Sequence, residues 1–594
     1  MITRRQALKL VSATGAAALL SGCAPAGTAE TRRLRVLATS DTHGMFVPWD
    51  YTLDEEDPSG SMAKLASAIA ELRDQDTLLL DAGDTIQDNM ADLFLDDEVH
   101  PMIACMNAIG YEFGATGNHE YNFGMDVVRK TVKTFMGTVL TGNVKDEHGD
   151  PVADGYAIVK KGDVRVGLIG MVTPNIIHWD EVNLRGCTVT NPVEETRKII
   201  DSIKNDVDVL VGVMHMGLDN EFDQPNTGVR DLVAACPEFD LVVAAHQHKL
   251  VEGEEINGVL VVENLFHAQT MAVVDLTLER NGNGWKVASR ASNPVKAADY
   301  EPDPKIMELM APYDERAKQY AREVIGALEG GPLAPTNEFA AIPQTILMDT
   351  ALVDLINEVQ LYYSGAKVSA ASISYVDANL APGPIRRCDV SLIYKYQNTL
   401  YTLEMTGAQL KKYLEWSASF YNTFREGDLS PSFDPNTPLY CYDMFEGINY
   451  TIDVSKEAGN RILDLSWPDG APVQDDQTFV IVVNNYRSTS DLLVPGTIYE
   501  EDNMPTLLES DVQGYIGDVR AMIADYIQNV KGGKIVPERN NNWSVVGYNW
   551  DEDMHKRAVE LVANGTLELK GDQKHLPSYA ITEDDVRRVD SNEG

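Results

Sequence analysis

A series of short polar motifs, each following an apolar run, constrains this chain more than any other feature of its sequence. The runs, most of them rich in leucine or β-branched residues, predict strands, so the polar residues are expected at strand ends that face one crevice. In chain order the motifs supply seven candidate metal ligands: Asp41, His43, Asp84, Asn118, His215, His246 and His248. Such a set of ligands is enough to hold two adjacent divalent cations.

The ligand types also indicate what the two cations would do. Carboxylate oxygens and imidazole nitrogens suit Mn, Zn, Co or Fe, and Mg is a further candidate. Two cations held close together repel each other, so they need a bridging carboxylate, and Asp84 lies between the other candidates in the chain. A water between two such cations loses its proton near neutral pH, which predicts a metal-bridged hydroxide as the nucleophile that attacks phosphorus.

Each motif taken alone has an ordinary structural explanation. An aspartate after a strand, such as Asp41, is often a turn residue or a helix cap. Gly117-Asn118 has the composition of a turn, and exposed histidines two residues apart on a strand, such as His246 and His248, share a face without any metal. The ordered set, with its shared placement at strand ends, favours a metal centre over unrelated local features.

The hydrophobic pattern predicts an α/β fold with two domains, because 594 residues exceed a single core. In the first domain, residues 34–300, strands and helices alternate, with strands at 34–39, 77–81, 164–172, 207–215 and 241–245 and helices such as 61–73 and 192–205. A linker helix is expected within residues 301–325, from Lys305 to about Ile325. The second domain, residues 326–548, has helices at 350–363 and 406–420 and strands near 400–405 and 479–483. Residues 549–594 are expected to form an acidic tail, helical over 551–564 and frayed from Glu583.

Longer motifs in both halves of the chain match the motifs of a known protein family. They lie at residues 83–87, 100–102, 117–124, 179–184, 398–400, 447–450, 484–487 and 541–543. Through them the chain resembles the bacterial 5'-nucleotidase and 2',3'-cyclic-nucleotide 2'-phosphodiesterase superfamily over residues 34–543. It is most similar to the bifunctional 2',3'-cyclic-nucleotide 2'-phosphodiesterase/3'-nucleotidase branch. The resemblance implies a four-layer calcineurin-like metallophosphoesterase β-sandwich flanked by helices, joined by a linker helix to a second α/β domain, the 5'-nucleotidase C-terminal domain, which binds the substrate.

The resemblance also implies roles for individual residues. One metal would be held by Asp41, His43, Asp84 and His248, and the other by Asp84, Asn118, His215 and His246. His119 resembles the catalytic histidine of the family, which stabilises charge on the phosphate or protonates the leaving group. The 5'-nucleotidases usually pair that histidine with an aspartate where this chain has Asn122, and usually have glutamine where it has His248. Both residues favour the cyclic phosphodiesterase branch.

In the second domain the resemblance points to substrate-binding residues. Tyr440 and Tyr486 resemble two aromatic residues that sandwich the base, and such stacking tolerates any base. Arg386 or Arg387 is expected to reach the phosphate, although an exposed salt bridge explains either arginine equally well. A Gly-Gly pair that relatives carry soon after residues 484–487 is absent here, which predicts a different shape for the base-binding loop.

The N-terminus predicts export. Arg4-Arg5 forms a twin-arginine pattern, and the apolar run over residues 10–20 is too short for a membrane span. Residues 20–23 resemble a lipobox, so removal of residues 1–22 would leave a lipidated Cys23 and a tether over residues 23–33. We therefore expect a lipoprotein at the outer face of the cytoplasmic membrane or the cell surface, attached only through that lipid. The alternative is a soluble exported protein with a chance cysteine.

Charge and motif content leave three functional hypotheses. The net charge of −42 argues against a nucleic-acid polymer as partner. The resemblance implies a small nucleotide as the substrate. The favoured hypothesis is hydrolysis of 2',3'-cyclic nucleotides and 3'-nucleotides. The second is a 5'-nucleotidase or nucleotide-sugar hydrolase on the same site, and the third is a non-catalytic nucleotide-binding lipoprotein. The third is disfavoured because every expected ligand is present.

Overall fold

Two sheets packed face to face form the centre of the first domain in this computed structural model, which describes residues 30–593 except 182, 222, 223, 397, 511, 514 and 515. The first sheet runs in the order Gly284–Ser292, Thr270–Asn281, Thr31–Thr39, Thr77–Asp81, Phe113–Ala115 and Thr138–Leu140, with Val295–Lys296 paired to Thr270–Asn281. The second sheet runs in the order Val251–Ile256, Val259–Glu263, Leu241–Val243, Val209–His215, Val164–Val172 and Tyr156–Lys161.

Side-chain alternation in the strands produces the layers. In Thr31–Thr39, Val36 and Ala38 point into the core between the two sheets, whereas Leu37 packs under the helices on the outer face. Helices cover the first sheet at Met62–Leu72 and Pro101–Ile109 and the second at Pro192–Ile203 and Val229–Ala235, and two more lie at Met125–Thr134 and Ile176–Trp179. The predicted arrangement of helix, sheet, sheet and helix is confirmed.

Within each sheet, the strands that lead to the polar motifs are parallel to one another. Val36 pairs with Leu78 in the first sheet, and Val211 pairs with Leu241 in the second, both in parallel register. Parallel strands end at the same edge of a sheet, so residues that follow these strands meet at one crevice. This topology positions the candidate ligands.

The helix Pro304–Ala321 connects the two domains. Asp303 caps its first turn by accepting hydrogen bonds from the backbone N–H groups of Lys305 and Ile306. The helix ends at Ala321, earlier than the predicted Ile325, because Val324–Leu328 is a strand that pairs with Gly383–Arg386 and Lys534–Ile535. The β-branched pair at its start suits that strand.

A five-stranded mixed sheet forms the core of the second domain. Its order is Met444–Glu446, Val368–Ala371, Thr478–Asn484, Leu400–Thr406 and Thr506–Glu509. A smaller sheet contains Ile462–Ser466, Asn449–Asp453 and Trp543–Val546. The α-helices of eight or more residues in its described part before residue 549 are Ala351–Ser364 and Gly407–Ala418, and the shorter Val519–Asp525 follows them. Thr406 and Gln409 form a capping box at the start of Gly407–Ala418.

The C-terminal residues pack on the second domain instead of forming a frayed tail. They form the helices Glu552–Ala563 and Glu583–Glu593. Ala558, Leu561 and Val586 are fully buried in the core of the second domain. The backbone of Leu429 also donates a hydrogen bond to Ile581. The expectation of a frayed end was wrong because the apolar positions of these segments complete that core.

No helix in the described part of the chain is long and apolar enough to cross a membrane. The expected signal sequence and Cys23 lie outside the described residues.

Candidate metal centre

The structure brings the candidate ligands together at the expected edge of the sheets. Ligand atoms of Asp41, His43, Asp84 and His248 lie within 4.8 Å of one another, and those of Asp84, His215 and His246 form a second such group. Asn118 joins the second group, since its Oδ1 lies 3.0 Å from Nε2 of His215. Asp84 is therefore shared by two adjacent ligand groups, which is the geometry of a bridging carboxylate.

The two oxygens of Asp84 have different surroundings. Oδ1 accepts a hydrogen bond from the backbone N–H of His119 at 2.9 Å, which fixes the carboxylate. Oδ2 faces Nε2 of His215 at 3.2 Å and Nε2 of His43 at 3.9 Å, and it accepts no hydrogen bond of suitable geometry. Oδ2 is thus the oxygen that both ligand groups share.

The fit to cations is supported by unpartnered buried oxygens. Asp41 is fully buried and Asp84 is 1% exposed, yet Oδ2 of each lacks a hydrogen-bond partner. Leaving a buried carboxylate oxygen without a partner is costly, and a divalent cation removes that cost. The donor set of carboxylates, imidazoles and one amide suits first-row divalent metals. The residues present therefore fit a two-metal centre.

Burial and close charges set the protonation of the histidines. Burial lowers the pKa of His43 to about 3, so its imidazole is neutral and one of its ring nitrogens carries a lone pair. Burial on its own also disfavours a charged His215, but the adjacent Asp84 carboxylate outweighs it and raises the pKa of His215 to about 10. A proton and a cation are alternatives at Nε2 of His215, so metal binding there would release that proton.

The ligands sit on an unusual backbone. Asp41, His43, Asp84, His246 and His248 all have positive φ, between 42° and 83°. This left-handed region is uncommon for non-glycine residues and occurs at tight turns and functional sites.

Gly117 is required where two ligand loops meet. A Cβ at this position would lie 2.1 Å from Oδ1 of Asp84 and 2.6 Å from Cε1 of His215. No side chain fits in that space, so only glycine allows the loop before Asn118 to approach the bridging carboxylate.

Glu120 has a role that the sequence did not reveal. Its buried carboxylate accepts hydrogen bonds from the backbone N–H groups of Gly117 at 2.6 Å, Thr85 at 2.7 Å and Asp84 at 3.0 Å. It therefore ties the Asp84 loop to the Asn118 loop. The sequence carried one signal for this role: Glu120 is an acidic residue next to His119, in a motif whose other polar residues had already been given roles.

His119 lies at the mouth of the crevice, with its side chain 32% exposed and Nε2 4.0 Å from Oδ2 of Asp84. Its Nδ1 is 2.7 Å from Oδ1 of Asn122, and Nδ2 of Asn122 donates to both carboxylate oxygens of Asp180 at 3.0 and 3.1 Å. Burial opposes the charged form of His119, but Asp84 and the Asn122 hydrogen bond outweigh it and raise its pKa. Asp180 supplies through Asn122 the negative charge that Asn122 lacks.

The two candidate arginines pair with carboxylates that do not belong to the described ligand cluster. Nη1 of Arg386 is 3.1 Å from a carboxylate oxygen of Asp54 in the first domain, and Arg386 also pairs with Asp389. Arg387 pairs with Glu323 at 2.6 Å. Both arginines therefore form salt bridges, the alternative that the sequence left open. Their guanidinium groups, which were expected to reach a phosphate, are paired with these carboxylates instead.

The two candidate aromatic residues are neighbours, but they do not form a sandwich. The rings of Tyr440 and Tyr486 have centroids 6.1 Å apart and planes at 76°. A base between two stacked rings needs parallel faces, so the expected sandwich is not present in this arrangement. Tyr396, which the sequence analysis did not identify, packs edge-on against Tyr440 with centroids 5.9 Å apart. We call Tyr396, Tyr440 and Tyr486 the aromatic cluster.

A buried ion pair anchors this cluster. Arg487 and Asp443 are 1% and 2% exposed, and Nε of Arg487 is 2.5 Å from Oδ2 of Asp443. Nη2 of Arg487 also donates to the backbone carbonyl of Tyr440 at 2.9 Å. Arg487 thus fixes the loop of Tyr440 and the turn that carries the neighbouring Tyr486.

Family models match both domains. The calcineurin-like phosphoesterase model covers residues 34–250, and the model of the 5'-nucleotidase C-terminal domain covers residues 324–492. The 2',3'-cyclic-nucleotide 2'-phosphodiesterase/3'-nucleotidase of Haemophilus influenzae is 26% identical, over 93% of this chain and 93% of that protein.

Two further comparisons bear on extent and fold. The trifunctional nucleotide phosphoesterase protein YfkN of Bacillus subtilis is 28% identical over 86% of this chain, which spans only 39% of the length of that relative. The crystal structure of the 5'-nucleotidase precursor from Thermus thermophilus has a TM-score of 0.54 at 18% identity, covering 88% of this chain and all of that chain, and shows the shared fold. With both domain models matched and the Asp/His clusters in place, the chain belongs to the calcineurin-like metallophosphoesterases that carry a 5'-nucleotidase C-terminal domain.

Proposed function

We propose that this enzyme hydrolyses 2',3'-cyclic nucleotides and 3'-nucleotides with the help of two divalent cations. The observation that carries the proposal is the sharing of Asp84 by two ligand groups beside His119. A relative named for the same two activities, 26% identical over 93% of the chain, supports the choice of substrate.

The two ligand groups divide the proposed metal centre. Asp41, His43, Asp84 and His248 would hold one cation, and Asp84, Asn118, His215 and His246 would hold the other. When bound, such cations would lower the pKa of a water toward neutral pH, so that hydroxide is available to attack phosphorus, and would supply positive charge for the phosphoryl oxygens. Mn, Zn, Co, Fe and Mg are the candidates for both positions.

His119 would complete the reaction from the protein side. Because Asn122 engages Nδ1, Nε2 is the ring nitrogen left for the substrate. A proton on Nε2 can neutralise a phosphoryl oxygen or move to the departing ribose oxygen. The Asn122 and Asp180 contacts hold the ring in that orientation and favour its protonated form.

His248 and Asn122 support the cyclic phosphodiesterase activity over the 5'-nucleotidase activity. Nε2 of His248 lies 3.6 Å from Oδ1 of Asp41, inside the first ligand group. An imidazole at this position and an amide beside His119 match the cyclic phosphodiesterase branch. The aromatic cluster would hold the base, and because its rings are partly exposed it would accept different bases.

The location of the enzyme is a separate part of the proposal. We infer from the twin-arginine pattern and Cys23 that it is an exported lipoprotein that meets nucleotides outside the cytoplasm. Radiolabelled palmitate should label the wild-type protein and fail to label Cys23→Ser. Equal labelling of both would contradict lipidation at Cys23.

A substrate panel tests the activity. The purified enzyme is assayed on 2',3'-cyclic AMP, 3'-AMP and 5'-AMP with added Mn, Co, Zn or Mg, with the Asp84→Ala variant as the background control. We expect a higher kcat/KM for 2',3'-cyclic AMP than for 5'-AMP. A preference for 5'-AMP would assign the enzyme to the 5'-nucleotidases and leave the metal chemistry intact. Binding of nucleotide without turnover under all four metals would support the non-catalytic alternative.

A further inference from the structure

Glu221 contacts a candidate metal ligand without belonging to either ligand group. Its Oε1 lies 2.8 Å from Nε2 of His246, and the two side chains are 17% and 13% exposed. Among the described residues, Glu221 is not part of either group of candidate ligands. It therefore stands beside the metal centre and touches it through His246.

Glu221 is held in place by contacts that do not involve His246. Its other carboxylate oxygen, Oε2, accepts hydrogen bonds from Nδ2 of Asn175 at 2.8 Å and from Oγ1 of Thr173 at 3.4 Å. Its backbone N–H donates to Oγ1 of Thr227 at 2.9 Å. The carboxylate therefore has a fixed position against which the His246 ring can be set.

The backbone of His246 is fixed as well, so the motion left to this residue is rotation of its imidazole ring. Its N–H donates to Oδ1 of Asp41 at 3.0 Å, and its φ is 83°. A carboxylate that accepts a hydrogen bond from Nε2 keeps the proton on that nitrogen and leaves the lone pair on Nδ1. The ring of Trp179, with its centroid 5.3 Å from that of His246, limits ring movement further.

We propose that Glu221 is a positioning residue of the metal centre: it holds the proton of His246 on Nε2 and presents Nδ1 as the metal ligand. The inference rests on the proposed function, in which His246 is a ligand of the second cation. Carboxylates that hydrogen-bond to a ligating histidine fix its tautomer and orientation, and their loss typically weakens metal binding about 10- to 100-fold.

The test measures metal binding rather than turnover. Wild type, Glu221→Ala, Glu221→Gln and His246→Ala are stripped with chelator, checked for folding by circular dichroism, and titrated with Mn²⁺ by calorimetry. Asp219→Asn is the matched control, because Asp219 lies in the same loop and pairs with Arg230 on the surface. Wild type and Asp219→Asn are expected to bind two Mn²⁺ ions with the same Kd values.

Glu221→Ala is expected to raise one of the two Kd values about 10- to 100-fold and leave the other unchanged. Glu221→Gln should recover most of that loss, because its side-chain oxygen can still accept from Nε2. Unchanged Kd values in Glu221→Ala, with one site lost in His246→Ala, would overturn the positioning role. Complete loss of one site in folded Glu221→Gln would overturn it too and make Glu221 a ligand. If His246→Ala keeps both sites, the ligand assignment in the proposed function fails instead.

Discussion

The metal centre and the aromatic cluster are built in opposite ways. At the metal centre, five of the seven candidate ligands are buried, and they follow strands whose order is set by parallel pairing. The Glu120 carboxylate ties two of the ligand loops together. In the aromatic cluster, three partly exposed tyrosines meet edge to face, and Tyr486 is 43% exposed. One buried pair, Arg487 and Asp443, anchors that cluster.

In the proposed function, this difference separates chemistry from recognition. Groups that act on the reacting atoms must be held close to their productive positions before substrate arrives, because a small misplacement costs much of the rate. A base can be stacked by rings that rotate into place, since every base has a π-face. The first domain therefore has a preorganised centre, and the second has an adaptable surface. Three predictions test the contrast, from the largest expected effect to the smallest.

Asp84→Ala should abolish hydrolysis and release both metals, because Asp84 is the ligand that the two groups share. Elemental analysis of the purified variant measures the metal content. Asp81→Asn is the control: this buried residue on the preceding strand accepts from Thr39 and Gly83, and burial raises its pKa to about 7. Two equivalents of metal and near wild-type activity in folded Asp84→Ala would refute the two-metal centre.

His119→Ala should lower kcat by roughly 100-fold or more while the metal content stays unchanged, the usual scale for a positioned acid or charge stabiliser. Asp180→Asn should cause a smaller loss in kcat, because Asp180 acts through Asn122. Steady-state kinetics and elemental analysis of both variants provide the comparison. Loss of metal from His119→Ala would make His119 a ligand. A loss in kcat that is larger for Asp180→Asn than for His119→Ala would contradict the proposal that Asp180 acts on His119 through Asn122.

Tyr486→Ala should raise KM by about 5- to 150-fold for every base, which corresponds to a loss of about 1–3 kcal/mol of stacking. The KM values of adenine, guanine, cytosine and uracil substrates are compared, with Tyr362→Ala as the control because Tyr362 is exposed and outside the aromatic cluster. An effect limited to one base would indicate hydrogen-bonded base recognition rather than stacking.

The sequence predicted the first domain and its cluster well because both follow from short-range patterns. Apolar runs predict strands, and polar residues after parallel strands must meet at one edge. The contacts of Asp180 and Glu221 could not be predicted this way, because each partner is distant in the chain: Asn122 lies 58 residues before Asp180, and His246 lies 25 residues after Glu221. Side-chain geometry across such separations depends on the finished fold.

The second domain was predicted less completely, for related physical reasons. Arg386 carries no sign in the sequence that its partner is Asp54, 332 residues earlier. The angle between the Tyr440 and Tyr486 rings depends on packing, which residue type does not determine. The C-terminal helices have a charged, weakly apolar sequence, and it is contacts in the finished fold, such as those of Leu561 and Val586 with the core, that show that they belong to this domain.

The left-handed backbone of the ligands has a consequence for how this protein can change. Each non-glycine residue held in that region costs about 1–3 kcal/mol, and five of the seven candidate ligands are held there. At the histidine positions, glycine or asparagine would adopt this backbone conformation at a lower cost. Substitutions that raise thermal stability and selection for metal binding therefore act on the same residues in opposite directions. A descendant of this chain that lost its activity would therefore be expected to lose these histidines early and to become more resistant to heat as it did so.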